Sequence, residues 1–314
     1  MGRLFVVFAV LIGVMAANWH VIRKIVGKRN VPAALRVRWR AKVDTFRAQP
    51  HHWSLCAAVV FAVRNRQSWD GLRFDDGRSD LAVGLAQAWG ITDRASLLAS
   101  MRDLLLVGHR EVFQSTVQTI AGCSEAEYHE HLRAIETNLG VDDEERTCML
   151  WRAKAARSNI DGAQSTDFVA WDMIRFILLC QNGLTLDLLT EDEARDFLLL
   201  PALRLQSAFS GWSDCVQNFA RGRAFWVAGR AALQRTQDEI KAAANLLHTD
   251  PASPWRYVTW SMSLPTPHWL FVRALLDAEL ITPLSDDERE NAAGWTRILD
   301  DALRQIQNDT IYLN

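Results

Sequence analysis

The chain has 314 residues, 49% apolar and 23% charged, and 35 basic against 37 acidic side chains leave a net charge of -2. That composition supplies a core and excludes disorder over most of the length, and the lack of a basic excess speaks against a nucleic-acid partner. Sixteen Gly and eight Pro are few breakers, so helix is favoured, with the 13 Trp filling helix crossings.

The first element is apolar. Leu4 to Ile22 carries no charge. These residues would span about 28 Å as a helix, enough to cross a bilayer core. Trp19 and His20 at its end suit the interface. Arg23, Lys24, Lys28, Arg29, Arg36, Arg38, Arg40 and Lys42 all precede the first acidic residue, Asp44. This excess on the C-terminal flank places the body in the cytoplasm and supplies a surface for anionic lipid. The rival reading is an exported protein, with Val14-Met15-Ala16 as a signal-cleavage site.

The chain thus divides into an anchor (1–22), a basic juxtamembrane segment (23–50) and a body (51–314). In the body, a helix is expected over Trp53–Arg64, then a polar loop from Asp70 to Asp80. Ser79 or Asp80 caps Leu81–Trp89, and Thr92-Asp93 opens a run to Val107 that Gly108 closes. Ser124 with Glu127 is a capping box for a helix to Leu139. Asp142 to Glu145 puts negative charge on the first turn of a helix to Ala156.

A helix over Phe168–Gln181 should stop at Asn182-Gly183, and Thr190 with Glu193 caps one to Phe209. Helices to Trp226 and over Gly229–His248 follow. Prolines at 251, 254, 265 and 267 break the pattern before two last helices, His268–Leu280 and Asp286–Gln307. No period-two run persists. The expected fold is all-α, an irregular multi-helix bundle with one N-terminal transmembrane or signal-anchor helix.

Chemistry-bearing patterns are sparse. The five cysteines lack CxxC spacing, which argues against a disulfide framework or zinc site and suits a reducing compartment. Asp172 and Arg175, three apart on one helix, can pair. Arg223 on another helix can share that carboxylate, with Trp171, Trp212 and Trp226 packed around it. Such a cluster could bind an anionic ligand or position an acid, but it equally suits a buried network that fixes a helix crossing. Glu125, Glu127, His129, Glu130 and His131 lie on two neighbouring faces and read as an exposed polar surface, and His51-His52 reads as surface beside a loop. The run 75–80 does not satisfy the EF-hand register. No metal and no cofactor are called for, and nucleophile-elbow and phosphate-loop motifs are absent.

Several residues together carry a resemblance. Trp89-Gly90-Ile91, Ala170-Trp171-Asp172 with Arg175, and Glu191 and Glu193 before Ala194 come first. Trp212, Gly222-Arg223 with Phe225-Trp226, and Ser253-Pro254-Trp255 with Trp260 follow in order. Over roughly residues 80–262 the chain resembles the bacterial family called domain of unknown function 1266. It departs from the family's frequent aromatic residues at Asn182-Gly183-Leu184. The resemblance implies a helical bacterial domain and transfers no activity.

The expected function is a noncatalytic, membrane-tethered helical module at the cytoplasmic face of a bacterial inner membrane, with membrane lipid and another protein as partners. The alternatives are an enzyme or anionic small-ligand binder centred on Asp172, Arg175 and Arg223, and an exported, periplasmic immunity-like protein.

Overall fold

The computed structural model describes residues 36–75, 77–229, 232–281 and 295–311. The expected anchor and Arg23, Lys24, Lys28 and Arg29 lie outside the described residues, as does the start of the last expected helix. Among the described residues the protein is all-helical, with a single isolated bridge between Arg38 and Ser68. No helix among them is long and apolar enough to cross a membrane.

The helices are α1 (Pro50–Ala57), α2 (Val59–Asn65), α3 (Arg78–Trp89), α4 (Arg94–Leu106), α5 (Gly108–Gly122), α6 (Glu125–Thr137) and α7 (Asp143–Arg157). After them come α8 (Val169–Thr185), α9 (Glu191–Phe197), α10 (Leu199–Ala208), α11 (Trp212–Val227), α12 (Leu233–Thr249), α13 (Leu270–Asp277) and α14 (Trp295–Ile311).

The capping signals work as expected at α4, α6 and α9. The side chains of Asp93, Ser124 and Thr190 accept from the backbone N–H three residues on, and the residue there reaches back. Elsewhere the boundaries move for physical reasons. The first helix begins at Pro50, a residue suited to position N1, and Gln49 with His52 forms its capping box. It breaks at Ala58 into two pieces. The helix expected to run to Phe209 breaks at Leu198, and Pro201 then falls in the first turn of α10, where its missing N–H costs nothing. Asn182-Gly183 does not stop α8. A β-carbon on Gly183 would lie 2.5 Å from Leu97 and 3.0 Å from Leu189, so this glycine permits close packing inside the helix.

α8 is the centre of the fold. It packs against α4, α5, α10 and α11, and nearly all of its residues are buried. A helix apolar on all sides belongs in a core. On the α11 side, a β-carbon on Gly222 would lie 2.4 Å from Cβ of Trp171, so glycine lets the two helices approach. The charged residues of α8 are Asp172 and Arg175 alone, 0% and 8% exposed.

Candidate functional site

Asp172 lies in the first turn of α8 and points at the start of α5. Its Oδ1 accepts from the backbone N–H of His109 at 3.0 Å. Its Oδ2 accepts from the backbone N–H of Arg110 and from Arg110 Nη1, both at 3.0 Å. The carboxylate therefore caps α5 from another helix, where unpaired N–H groups and the helix dipole favour negative charge. Arg110 does the reciprocal task for α4. Its Nη1 donates to the Leu104 carbonyl at 2.8 Å, and Nη2 donates to those of Leu105 and Leu106 at 2.8 and 2.7 Å. One Asp–Arg pair thus satisfies the end of α4 and the beginning of α5 and fixes both to α8.

Gly108 makes the turn between those helices. Its φ is +69°, a conformation that costs a residue with a side chain. A β-carbon there would also lie 2.0 Å from Asp172 Oδ2. This glycine was expected to end a helix, and it also begins one. α5 was not anticipated, although Phe113, Val117 and Ile120, its buried residues, sit at helical spacing.

Arg175 takes a different role from the one its spacing suggests. It does not share the Asp172 carboxylate, whose partners are His109 and Arg110. Its guanidinium is boxed by three indoles, with Cζ 4.0 Å from the ring centre of Trp89, 4.7 Å from Trp226 and 4.9 Å from Trp171. Nη1 lies 3.0 and 3.1 Å from the two ring nitrogens of His109, which accepts from it. His109 Nδ1 lies 3.4 Å from Asp172 Oδ1, so the imidazole sits between Arg175 and the carboxylate. Burial lowers the Arg175 pKa to about 10; the Asp172 charge opposes that shift and Arg223 adds to it. At that value the guanidinium still carries its charge near neutrality.

The other expected members separate. Arg223 approaches the cluster through Trp171, with Cζ 5.7 Å from that ring. Trp212 does not pack around Asp172. It sits at the opposite end of α11 from Trp226, about 21 Å along a helix of that length. There its ring centre lies 4.9 Å from Trp53, 4.8 Å from Trp260 and 6.0 Å from Trp255. The sequence pattern joined two aromatic clusters that α11 holds apart. His109 and Arg110 were missed, because the signal that places them is the helix after Gly108.

A second polar group centres on α1 and α9. His51 and His52 are 6% and 9% exposed, in place of the expected surface position. Arg195 Nη1 lies 2.8 Å from His51 Nδ1, and its guanidinium also pairs with Glu191. Burial lowers the pKa of His51 to about 3, with His52 and Arg195 adding to the shift. Burial likewise lowers that of His52 to about 4, against the charge of Asp70. Next to them, buried Asp196 accepts from the backbone N–H groups of His268 and Leu270, so α13 is capped across helices as α5 is. A cleft of about 540 Å3 opens here, lined by Gln49, His51, Arg195, Leu199, Pro265 and His268 among others.

The basic segment is partly folded onto the body. Arg36, Arg38 and Lys42 are exposed. Arg40 is held instead, with its guanidinium pairing with Asp75 and the Arg73 carbonyl and its backbone N–H donating to Asp70 at 2.8 Å. Of the acidic and His residues on α6, Glu125 pairs with Arg157 at 2.8 Å and with His129 at 3.2 Å. Among the described residues no group of three His, Cys, Asp or Glu side chains could hold a metal.

Fold and site together define an all-helical protein among the described residues, braced by cross-helix carboxylate caps and a Trp-boxed arginine. The family model described as protein of unknown function (DUF1266) matches residues 84–260. That is more than half of the chain, and the chain belongs to this family. The matched stretch contains Trp89, Gly108, His109, Arg110, Asp172, Arg175 and Trp226. No curated protein and no solved structure matches the chain.

Proposed function

We propose that the chain is a noncatalytic, membrane-tethered helical module that binds another protein at the cytoplasmic face of an inner membrane. The observation that carries the noncatalytic part is the use made of Asp172. Both oxygens of this fully buried carboxylate are taken by the α5 backbone and Arg110, so the strongest chemical candidate in the sequence spends its bonding on helix ends. The tether is supported by the uncharged run Leu4–Ile22 and the eight positive charges that follow it. Crosslinking in intact membranes followed by recovery of the full chain tests this. A partner recovered from the inner-membrane fraction supports the module, and a shortened, periplasmic product overturns the topology.

A second reading, a small-ligand binder, is favoured by the cleft of about 540 Å3 beside His51 and Arg195. That volume is in the range of small-molecule sites, and its lining mixes apolar walls with a few polar groups. In this reading the ligand site lies at α1, α9 and α13 and away from Asp172. Thermal shifts of the purified chain across a metabolite panel, compared with Arg195→Ala, test it. A panel-wide absence of shifts counts against it.

A further inference from the structure

The juxtamembrane segment does not leave the body at residue 50, where the sequence pattern ends it. It is seated along residues 36–46. Trp39 is the peg: its Nε1 donates to the Ala252 carbonyl at 2.9 Å, and its ring meets Trp69, Phe46 and Tyr257 edge-on at 4.8, 5.0 and 5.3 Å. Asp70 then grips the backbone, accepting from the N–H groups of Arg40 and Ala41, each at 2.8 Å. The Arg40 guanidinium lies over Gly71, where a β-carbon would be 2.4 Å from its Cζ.

Seating changes the length of the leash. From Ile22 to Pro50 there are 28 residues, which could reach about 100 Å fully extended; from Ile22 to Arg36 there are 14, which reach no more than about 50 Å. The seat also selects which side of the body is held near the membrane. The seated segment carries exposed Arg36, Arg38 and Lys42, and exposed Arg256 adjoins Tyr257, whose ring touches Trp39. Tyr257 is 40% exposed, an amphipathic ring of the kind that settles at a bilayer interface. Of the acidic groups on or beside the segment, Asp70 is occupied by the backbone, Asp75 by Arg40 and Asp250 by the Ala252 N–H, while Asp44 is exposed two residues from Lys42, so Arg36, Arg38 and Lys42 leave the segment a basic excess.

We infer that the Trp39 face of the body rests on anionic lipid headgroups. The inference depends on the proposed tether and adds to it a contact surface: the folded domain lies against the bilayer by this face. Clustered Arg and Lys within a Debye length of an anionic leaflet are attracted to it, and phosphate groups suit the arginine fork.

The test uses the full chain reconstituted in phosphatidylcholine vesicles with and without phosphatidylglycerol. A photoreactive p-benzoylphenylalanine replaces Tyr257, and in a control it replaces Leu139, which is 96% exposed on the turn between α6 and α7. The expected result is lipid crosslinking at 257 several-fold above that at 139, rising with phosphatidylglycerol. Combined Arg36→Glu, Arg38→Glu and Lys42→Glu should lower it several-fold while the chain still floats with the vesicles. Trp39→Ala should lower it as well, with faster tryptic cleavage at Arg36 to Lys42. If the chain floats but positions 257 and 139 crosslink equally, or the charge reversals have no effect, this inference is overturned and the tether stands. If the chain does not float with either vesicle, the tether fails and the inference fails with it.

Discussion

The Asp172 carboxylate occupies the space in which a side chain at residue 108 would begin, with Oδ2 2.0 Å from the position of a β-carbon on Gly108. The glycine is required twice, by its φ of +69° and by that contact. Gly108→Ala is therefore expected to cost at least about 2 kcal/mol, since left-handed strain alone accounts for about 1–2. Urea unfolding of the purified chain measures it. A loss below about 0.5 kcal/mol would mean that neither the left-handed φ nor Asp172 constrains the turn between α4 and α5.

Arg175 is recognised by its flat guanidinium, which three indole faces surround. Arg175→Lys keeps the charge and loses the stacking, so it should destabilise by about 1–2 kcal/mol and shift the Trp emission. Unchanged stability and emission in this variant would show that the box does not grip its occupant.

His51 and His52 make stability depend on pH. Their folded pKa values, about 3 and about 4, lie below the ordinary 6.5. The unfolded chain then binds more protons between those limits, so the contribution is complete above about pH 6.5 and is lost as pH falls toward 4. The slope is about 1.4 kcal/mol per pH unit per histidine. Unfolding midpoints at pH 7.5, 6 and 5 should fall in that order, and His51→Gln should roughly halve the dependence between pH 6.5 and 5. A flat profile in that window contradicts the burial of the pair.

The thiols sort by environment. Cys56, Cys148, Cys180 and Cys215 are buried and Cys123 is half-buried. Burial pushes the thiols of Cys56, Cys180 and Cys215 up, which suppresses the reactive thiolate. In the native protein a thiol reagent should modify Cys123 first, and the other four should react at the rate of unfolding. Rapid modification of more than one thiol would contradict the burial of Cys56 on α1, Cys148 on α7, Cys180 on α8 or Cys215 on α11.

Helix content was legible because capping residues act locally: Asp93, Ser124 and Thr190 each bond three residues away. Breaks set by tertiary packing were less so. Gly183 lies inside α8 where Leu97 and Leu189 leave no room for a β-carbon, and Gly108 reads as a stop until Asp172, 64 positions later, is brought to it. The candidate site was legible in part. Asp172, Arg175, Trp171 and Trp226 do gather, because α8 and α11 cross where Gly222 lets them. Arg110 and His109 were out of reach, since their roles arise from the end of a helix and not from a motif. Trp212 does not join Asp172 and Arg175: its 14-residue separation from Trp226 on one helix already sets the two about 21 Å apart, a distance that residue type alone does not register.

The Asp172–Arg110 pair acts as a clasp between helix ends. The most direct test is a double-mutant cycle of Asp172→Ala and Arg110→Ala by urea unfolding. Each single variant should cost about 3–5 kcal/mol, because it leaves a buried charged partner behind, and the double variant should cost at least about 2 kcal/mol less than their sum. If Asp172→Ala is as stable as the parent chain, the carboxylate does not hold α4 and α5 to α8, and the clasp is contradicted.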